Sequence, residues 1–195
     1  MRCITIIGAK VVKVSIPYLE ETKMAHAITI LTEMATGASR HYNSSIHKYT
    51  PETQINIELG RSIDSCEYLN AQKLRRYAMS ILYENVFSKA DVLFTPGTGC
   101  TAPEFLKSVE RYGESNLVQT SNLMRFIYHG NLCGIPGVVV PVGYSHVGKL
   151  PISIQIQARH WDENLILRVA KSCEVFVVHK KPMVYHDILG LASKE

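Results

Sequence analysis

The stretch from Asn131 to Ala158 constrains the fold more than any other part of the chain. Two apolar runs, Gly137–Val142 and Leu150–Ile156, flank a polar, glycine-containing turn at Ser145–Lys149. Val138, Val139, Val140 and Val142 are β-branched and nearly uninterrupted, which predicts a strand buried on both faces. Ile152, Ile154 and Ile156 alternate with Ser153, Gln155 and Gln157, which predicts a strand with one apolar and one polar face. Together they predict a β-hairpin at the centre of a sheet. Pro136 and Pro151 suit strand starts. Pro141 has no N–H for the ladder and belongs at a strand end or a bulge, so the first strand is short and bends. Gly134–Pro136 reads as a tight turn between a preceding helix and that strand.

Upstream, Lys10–Ile16 alternates and is β-branched, and reads as a strand ended by Pro17. Tyr18–Ala35 reads as a helix with Met24, Ile28, Leu31 and Ala35 on its buried face. Gly37–Pro51 is polar and reads as a loop, after which Thr50 and Pro51 open a short helix running to Gly60. Ser65–Ser88 is the longest helical pattern, with Ser65 as cap and Leu74, Ala78, Ile81 and Leu82 facing inward. Asp91–Thr95 is a short strand stopped by Pro96 and Gly97. Thr98–Asn116 is a long loop with a helical turn at Glu104–Tyr112, and Thr120–Asn131 is a helix. After the hairpin, Asp162 caps a last helix with Leu165, Val169, Cys173 and Phe176 along one face, followed by a basic tail from His179. The apolar patch Ile4–Ile7 reads as a strand or a helix tail. This order is α/β, with a mixed sheet and flanking helices.

Composition excludes several classes. The chain is 46% apolar and 19% charged, ordinary for a packed core, and its +4 net charge is scattered apart from Lys73–Arg76 and Lys180–Lys181. A nucleic-acid surface needs denser basic clustering, so none is expected. No run reaches the roughly 18 apolar residues of a membrane span. Five cysteines, an odd number without a C-x-x-C, fit buried free thiols in a reduced, intracellular setting better than a secreted disulfide framework. Association with a membrane surface stays open.

Several motifs in the chain resemble the C-terminal part of amidase-signature hydrolases, and within that family the plant fatty acid amide hydrolases. Carrying the resemblance are Asn131, Gly134-Ile135-Pro136, Val140-Pro141-Val142-Gly143, Leu150-Pro151 and Gln155, with Asp91–Pro96, Thr101–Pro103 and Ser121–Phe126 upstream. It extends from about Val11 to about Val178. Ser153 and Ala158 stand where the family prefers Gly, and Val138 where it often has Ala, so the sheet carries extra volume. The resemblance implies an incomplete amidase-signature fold, with residues 1–195 as a single partial domain. It also implies a parent reaction, hydrolysis of N-acyl amides to a fatty acid and an amine. The family's sheet is completed by an N-terminal half, so the chain alone is expected to be marginally stable, to self-associate or to pair with a full-length relative.

Family catalysis uses two Ser residues in a Gly-rich loop and a Lys base, because small residues let backbone N–H groups approach the tetrahedral intermediate. The one Ser pair here, Ser44-Ser45, is flanked by Asn43 and Ile46 and does not match, so no catalytic residue carries over. The resemblance places the acyl-channel wall at Leu59 and Ile63 on one segment and Leu117, Thr120 and Ser121 on another. Only Thr120 keeps the family's residue type, and Gly60 replaces a larger residue. Ordinary core positions are the competing reading of Leu59, Ile63 and Leu117. Two cysteines offer other nucleophiles. Cys100 lies on a loop after a strand, and Cys133 follows His129 by four residues, which puts that Cys–His pair on one helix face. Free cysteines are more often buried and inert. Gly97-Thr98-Gly99 is too short for a dinucleotide fingerprint, and His26, His41 and His47 lack ligand spacing, so neither cofactor nor metal is expected. The rival to a broken enzyme is a non-catalytic module that binds an acyl ligand or a partner protein.

Overall fold

The computed structural model describes residues 8–146 and 149–174. The Ile4–Ile7 patch, Phe176 and the basic tail lie outside them. Among the described residues the first helix is α1 (Leu19–Ala38), followed by a short helical turn α2 (Tyr42–Ser45), then α3 (Pro51–Ser62) and α4 (Ser65–Ile81). Strand β1 (Leu93–Pro96) leads to α5 (Lys107–Tyr112), α6 (Leu117–Leu123) and α7 (Tyr128–Cys133). The hairpin strands β2 (Gly137–Tyr144) and β3 (Pro151–Gln157) precede α8 (Glu163–Glu174).

Local chemistry accounts for the helix ends. Asp64 rather than Ser65 caps α4: its Oδ1 accepts from the Glu67 N–H at 2.8 Å, and Glu67 Oε2 accepts from the Asp64 N–H at 3.0 Å. Only a cap at Asp64 puts a carboxylate three residues on, as the reciprocal box needs. Pro51 opens α3 at a position where its missing N–H costs nothing. Past Ile81 the α4 ladder widens into a π segment, Leu82–Phe87, which turns Leu82, Val86 and Phe87 inward together. The Gly37–Pro51 segment, expected as a loop, is helical in short turns at Ser39–His41, Tyr42–Ser45 and Ile46–Lys48. The Ser39 and Ser44 hydroxyls donate back to carbonyls three residues earlier, and Arg61 lies 4.0 Å over the Tyr42 ring. The expected helix Thr120–Asn131 is two helices. Asn116 caps α6 by accepting from the Gln119 N–H, and i→i−3 bonds at Arg125 and Ile127 turn the chain before α7.

Helix α1 packs against α3, α4 and α7. Its buried residues are Thr22, Ala25, His26 and Ala35, whereas Met24 is 57% exposed, against expectation. Close approach decides this phase. Gly60 of α3 sits so near α1 that a Cβ there would lie 2.1 Å from the Leu31 carbonyl oxygen. Small residues therefore face inward and the flexible Met turns out.

The sheet order is β1–β3–β2, antiparallel throughout its described strands. The α/β class holds, with flanking helices around an antiparallel sheet in which Lys10–Ile16 is not paired. That segment is not a strand, although Val14 and Ile16 pack on the Leu82–Val86–Phe87 cluster. The hairpin forms as expected, with Val138 opposite Ile156 and Val140 opposite Ile154. The ladder slips between Pro141 and Gly143, so Pro141 does sit at a bulge. Gly134 takes φ +71° and closes α7, with the Ile135 N–H donating to the Gly130 carbonyl five residues back. One burial expectation is overturned. Val140 is buried with Ile156 and Ala158 beneath Ile166, Ala170 and Cys173 of α8, but Val139 on the other face is 55% exposed. β2 is an edge strand rather than the sheet's centre, and nothing among the described residues covers Val139.

Candidate functional site

Behind the sheet, opposite α8, the Gln157 side chain of β3 meets α7. Gln157 is 1% exposed and His129 2%, and His129 Nε2 lies 2.8 Å from Gln157 Oε1. Gly130 permits this packing, since a Cβ there would lie 2.1 Å from Gln157 Nε2. Burial holds the His129 imidazole below its ordinary pKa, with the Gln157 hydrogen bond a smaller opposing influence. The ring is neutral at neutral pH. With Oε1 accepting, Nε2 carries the proton and Nδ1 keeps a lone pair, and that buried Nδ1 has no partner among the described residues. One row along, Thr95 Oγ1 donates to Gln155 Oε1 at 3.3 Å. The polar face read from the alternation is therefore an interior polar ladder rather than a wet one.

A groove of about 720 Å3 opens beside this pair, between the Ala9–Ile16 segment and β1. Val14, Ile16, Val86, Leu93 and Phe94 give it apolar walls, and His129, Lys10, Lys13, Lys89 and Arg125 also line it. Sequence reasoning named His129 only as a partner for Cys133. The signal it passed over is the His129-Gly130 pair opposite alternating Gln residues.

None of the five residues assigned to an acyl channel lines this groove. Leu59 and Leu117 are 42% and 63% exposed on α3 and α6, so neither is a core position. Ile63 is half-buried just after α3, and Thr120 is exposed on α6. Ser121 is half-buried, its carbonyl accepting from the Tyr128 hydroxyl at 3.2 Å. Gly60 belongs to the α1–α3 contact described above.

Cys133 and His129 share α7, yet His129 turns to Gln157, and burial pushes the Cys133 thiol up to about 11. That thiol stays protonated at neutral pH and is a poor nucleophile. Cys100 is exposed on its loop. Among the described residues no cluster of His, Cys, Asp or Glu is placed to hold a metal, and no helix is long and apolar enough to cross a membrane.

Comparison with known proteins places this architecture. The profile of the Amidase family matches residues 4–167. The chain is 39% identical over 186 residues to a fatty acid amide hydrolase of Oryza sativa subsp. indica, covering 94% of this chain and 30% of that protein. The Arabidopsis thaliana fatty acid amide hydrolase is 38% identical over 185 residues, with the same coverage. Among solved structures, an amidase superposes with a TM-score of 0.75 at 17% identity, covering 91% of this chain and 40% of that one. The chain thus spans about a third of the length of these curated relatives, 30% in each case. It belongs to the Amidase family and matches the C-terminal part of amidase-signature enzymes such as fatty acid amide hydrolase.

Proposed function

We propose that residues 1–195 form a single partial amidase domain, the C-terminal portion of a fold whose parent reaction is hydrolysis of N-acyl amides to a fatty acid and an amine. These residues by themselves do not hydrolyse amides. The observation that carries this reading is the Ser44–Ser45 pair. It lies on α2 with Ser44 exposed and Ser45 half-buried, the two hydroxyls 3.4 Å apart, and Ser44 donates to the His41 carbonyl. No Lys or His nitrogen is among their hydrogen-bond partners in the described residues, and no Gly-rich loop surrounds them to offer N–H groups to an oxyanion. In the completed fold, Leu59, Ile63, Leu117, Thr120 and Ser121 form part of the acyl-channel wall. The exposure of Leu59 and Leu117 here supports their having a further partner.

The test has two arms. The purified chain is expected to show no turnover of an N-acylethanolamide above a heat-killed control, and saturable turnover that survives cysteine blockade would overturn the inactivity. In the second arm, this chain replaces the matching segment of the rice fatty acid amide hydrolase. A chimera that folds and hydrolyses the substrate supports the assignment, and a folded but inactive chimera refutes it.

A further inference from the structure

Of the eight prolines, two follow a hydroxyl-bearing residue, at Thr50-Pro51 and Thr95-Pro96. As sequence the two dipeptides are alike. The fold separates them. Thr95 lies inside β1, paired with Gln155 of β3, and its Oγ1 donates to Gln155 Oε1 at 3.3 Å. Thr50 is exposed on the link between the turn Ile46–Lys48 and α3. Tyr49 and Thr50 are both extended, with φ and ψ of −80° and 154°, then −65° and 153°. Thr50 holds the N-cap position of α3, yet its side chain caps nothing: Oγ1 lies 3.0 Å from Thr53 Oγ1 and accepts no backbone N–H. The Glu52 and Thr53 N–H groups at the start of α3 have no acceptor among the described residues. Glu52 does not supply one, since its Oε2 is buried against Gly113, 2.5 Å from where a Cβ there would lie.

We propose that Thr50 is a phosphorylation site for a proline-directed protein kinase. In the transfer, Thr50 Oγ1 bonds to the γ-phosphorus of ATP and the bond from that phosphorus to the bridging oxygen breaks. ADP leaves, and the hydroxyl proton passes to the kinase's base. In-line transfer happens inside the kinase cleft, so the acceptor hydroxyl must stand clear of its own fold on extended backbone. Thr50 meets both conditions. Thr95 does not, because its strand is held in a ladder and its hydroxyl is engaged. Pro51 supplies the selectivity: it brings no N–H, so a kinase pocket without an acceptor at that position takes Pro and rejects other residues. Once attached, the phosphate brings about −1.5 to −2 charges and three acceptor oxygens to the start of α3. The idle Glu52 and Thr53 N–H groups and the helix dipole then gain the anion that the Thr50 hydroxyl does not provide. Lys48, exposed on the preceding turn, adds a cation nearby in sequence. The inference stands apart from the proposed parent reaction, because it needs neither a nucleophile of this chain nor an amide substrate.

The experiment incubates the full chain with ATP and a purified proline-directed Ser/Thr kinase, and maps the product by peptide mass spectrometry. A single phosphate on Thr50 is expected, with Thr95 unlabelled. Thr50→Val and Pro51→Ala are each expected to cut incorporation about tenfold or more. Thr53→Val, whose hydroxyl neighbours that of Thr50, is expected to leave it unchanged. Misfolding would expose the segment further and raise labelling, so a loss in Pro51→Ala reports the dipeptide and not a damaged fold. The phosphorylated chain is expected to melt about 1–4 °C above the unmodified one, a gain that added salt reduces. No incorporation while a control peptide is fully labelled would overturn the proposal. Labelling of Thr95 as fast as Thr50 would overturn it too, as would undiminished labelling of Pro51→Ala or a melting temperature lowered by the phosphate.

Discussion

Replacing Gly60 with Ala tests how closely α1 and α3 are held. In an open helix interior the change stabilises by up to about 1 kcal/mol through propensity. At Gly60 the new Cβ would lie 2.1 Å from the Leu31 carbonyl oxygen and 2.7 Å from its carbonyl carbon. Both are backbone atoms in the middle of a helix, so no side chain can swing aside. The helices must separate by roughly an ångström, and a gap of that size forfeits about a quarter to a half of the dispersion energy across it. Ile57, 1% exposed, is the large apolar side chain that α3 buries, and its burial is worth about 1.5–3 kcal/mol. With about 1–3 kcal/mol of overpacking strain, and the propensity gain subtracted, the net cost is about 2 kcal/mol. That lowers Tm by roughly 4–8 °C for a chain of this size. Gly37→Ala is the control: Gly37 lies in α1 with nothing within 4 Å of its added Cβ. Urea unfolding followed by far-ultraviolet circular dichroism should move the two midpoints in opposite directions at unchanged m. Equal stabilisation by both substitutions would show that α1 and α3 are not held at this distance.

Other outcomes follow from the same interior. Burial lowers the pKa of both His129 and His26, so the unfolded chain binds protons that the folded chain refuses. Stability is therefore insensitive to these groups above the unfolded histidine value near 6.5 and falls as pH drops below it, by up to about 1.4 kcal/mol per pH unit for each. His129→Asn should flatten part of that slope in urea titrations between pH 7 and 5, and an unchanged slope would contradict the burial argument. Cys133 should resist a thiol reagent at pH 8 in the native chain while Cys66 and Cys100 react, as peptide mapping would show. Val139→Lys, on the uncovered face of the edge strand β2, should reduce self-association in light scattering without lowering Tm by more than a degree or two. A chain that is monomeric before the change would remove its rationale.

Periodicity and proline placement, both local properties, decided much of this fold in advance. The hairpin, the bulge at Pro141, the tight turn at Gly134 and the long helix of α4 follow from alternation, a missing N–H and a glycine at positive φ. The family was legible too, because its motifs fall where backbone geometry tolerates few substitutes. Partners separated in sequence decided the rest. Lys10–Ile16 has strand composition, but a strand exists only when another chain segment completes its ladder, and none of the described residues does. Val139 looks like a core residue by composition, and its exposure reflects an uncovered sheet face that no local pattern encodes. Met24 lost its predicted place because Gly60 set the rotation of α1 from another helix. The His129–Gln157 pair lies 28 residues apart and joins a helix to a strand, so its burial and its unpartnered nitrogen arise only when α7 closes on β3. Short-range sterics are written in neighbouring residues. Burial and hydrogen-bond satisfaction are properties of the assembled layers, and those layers were decided by the tertiary structure.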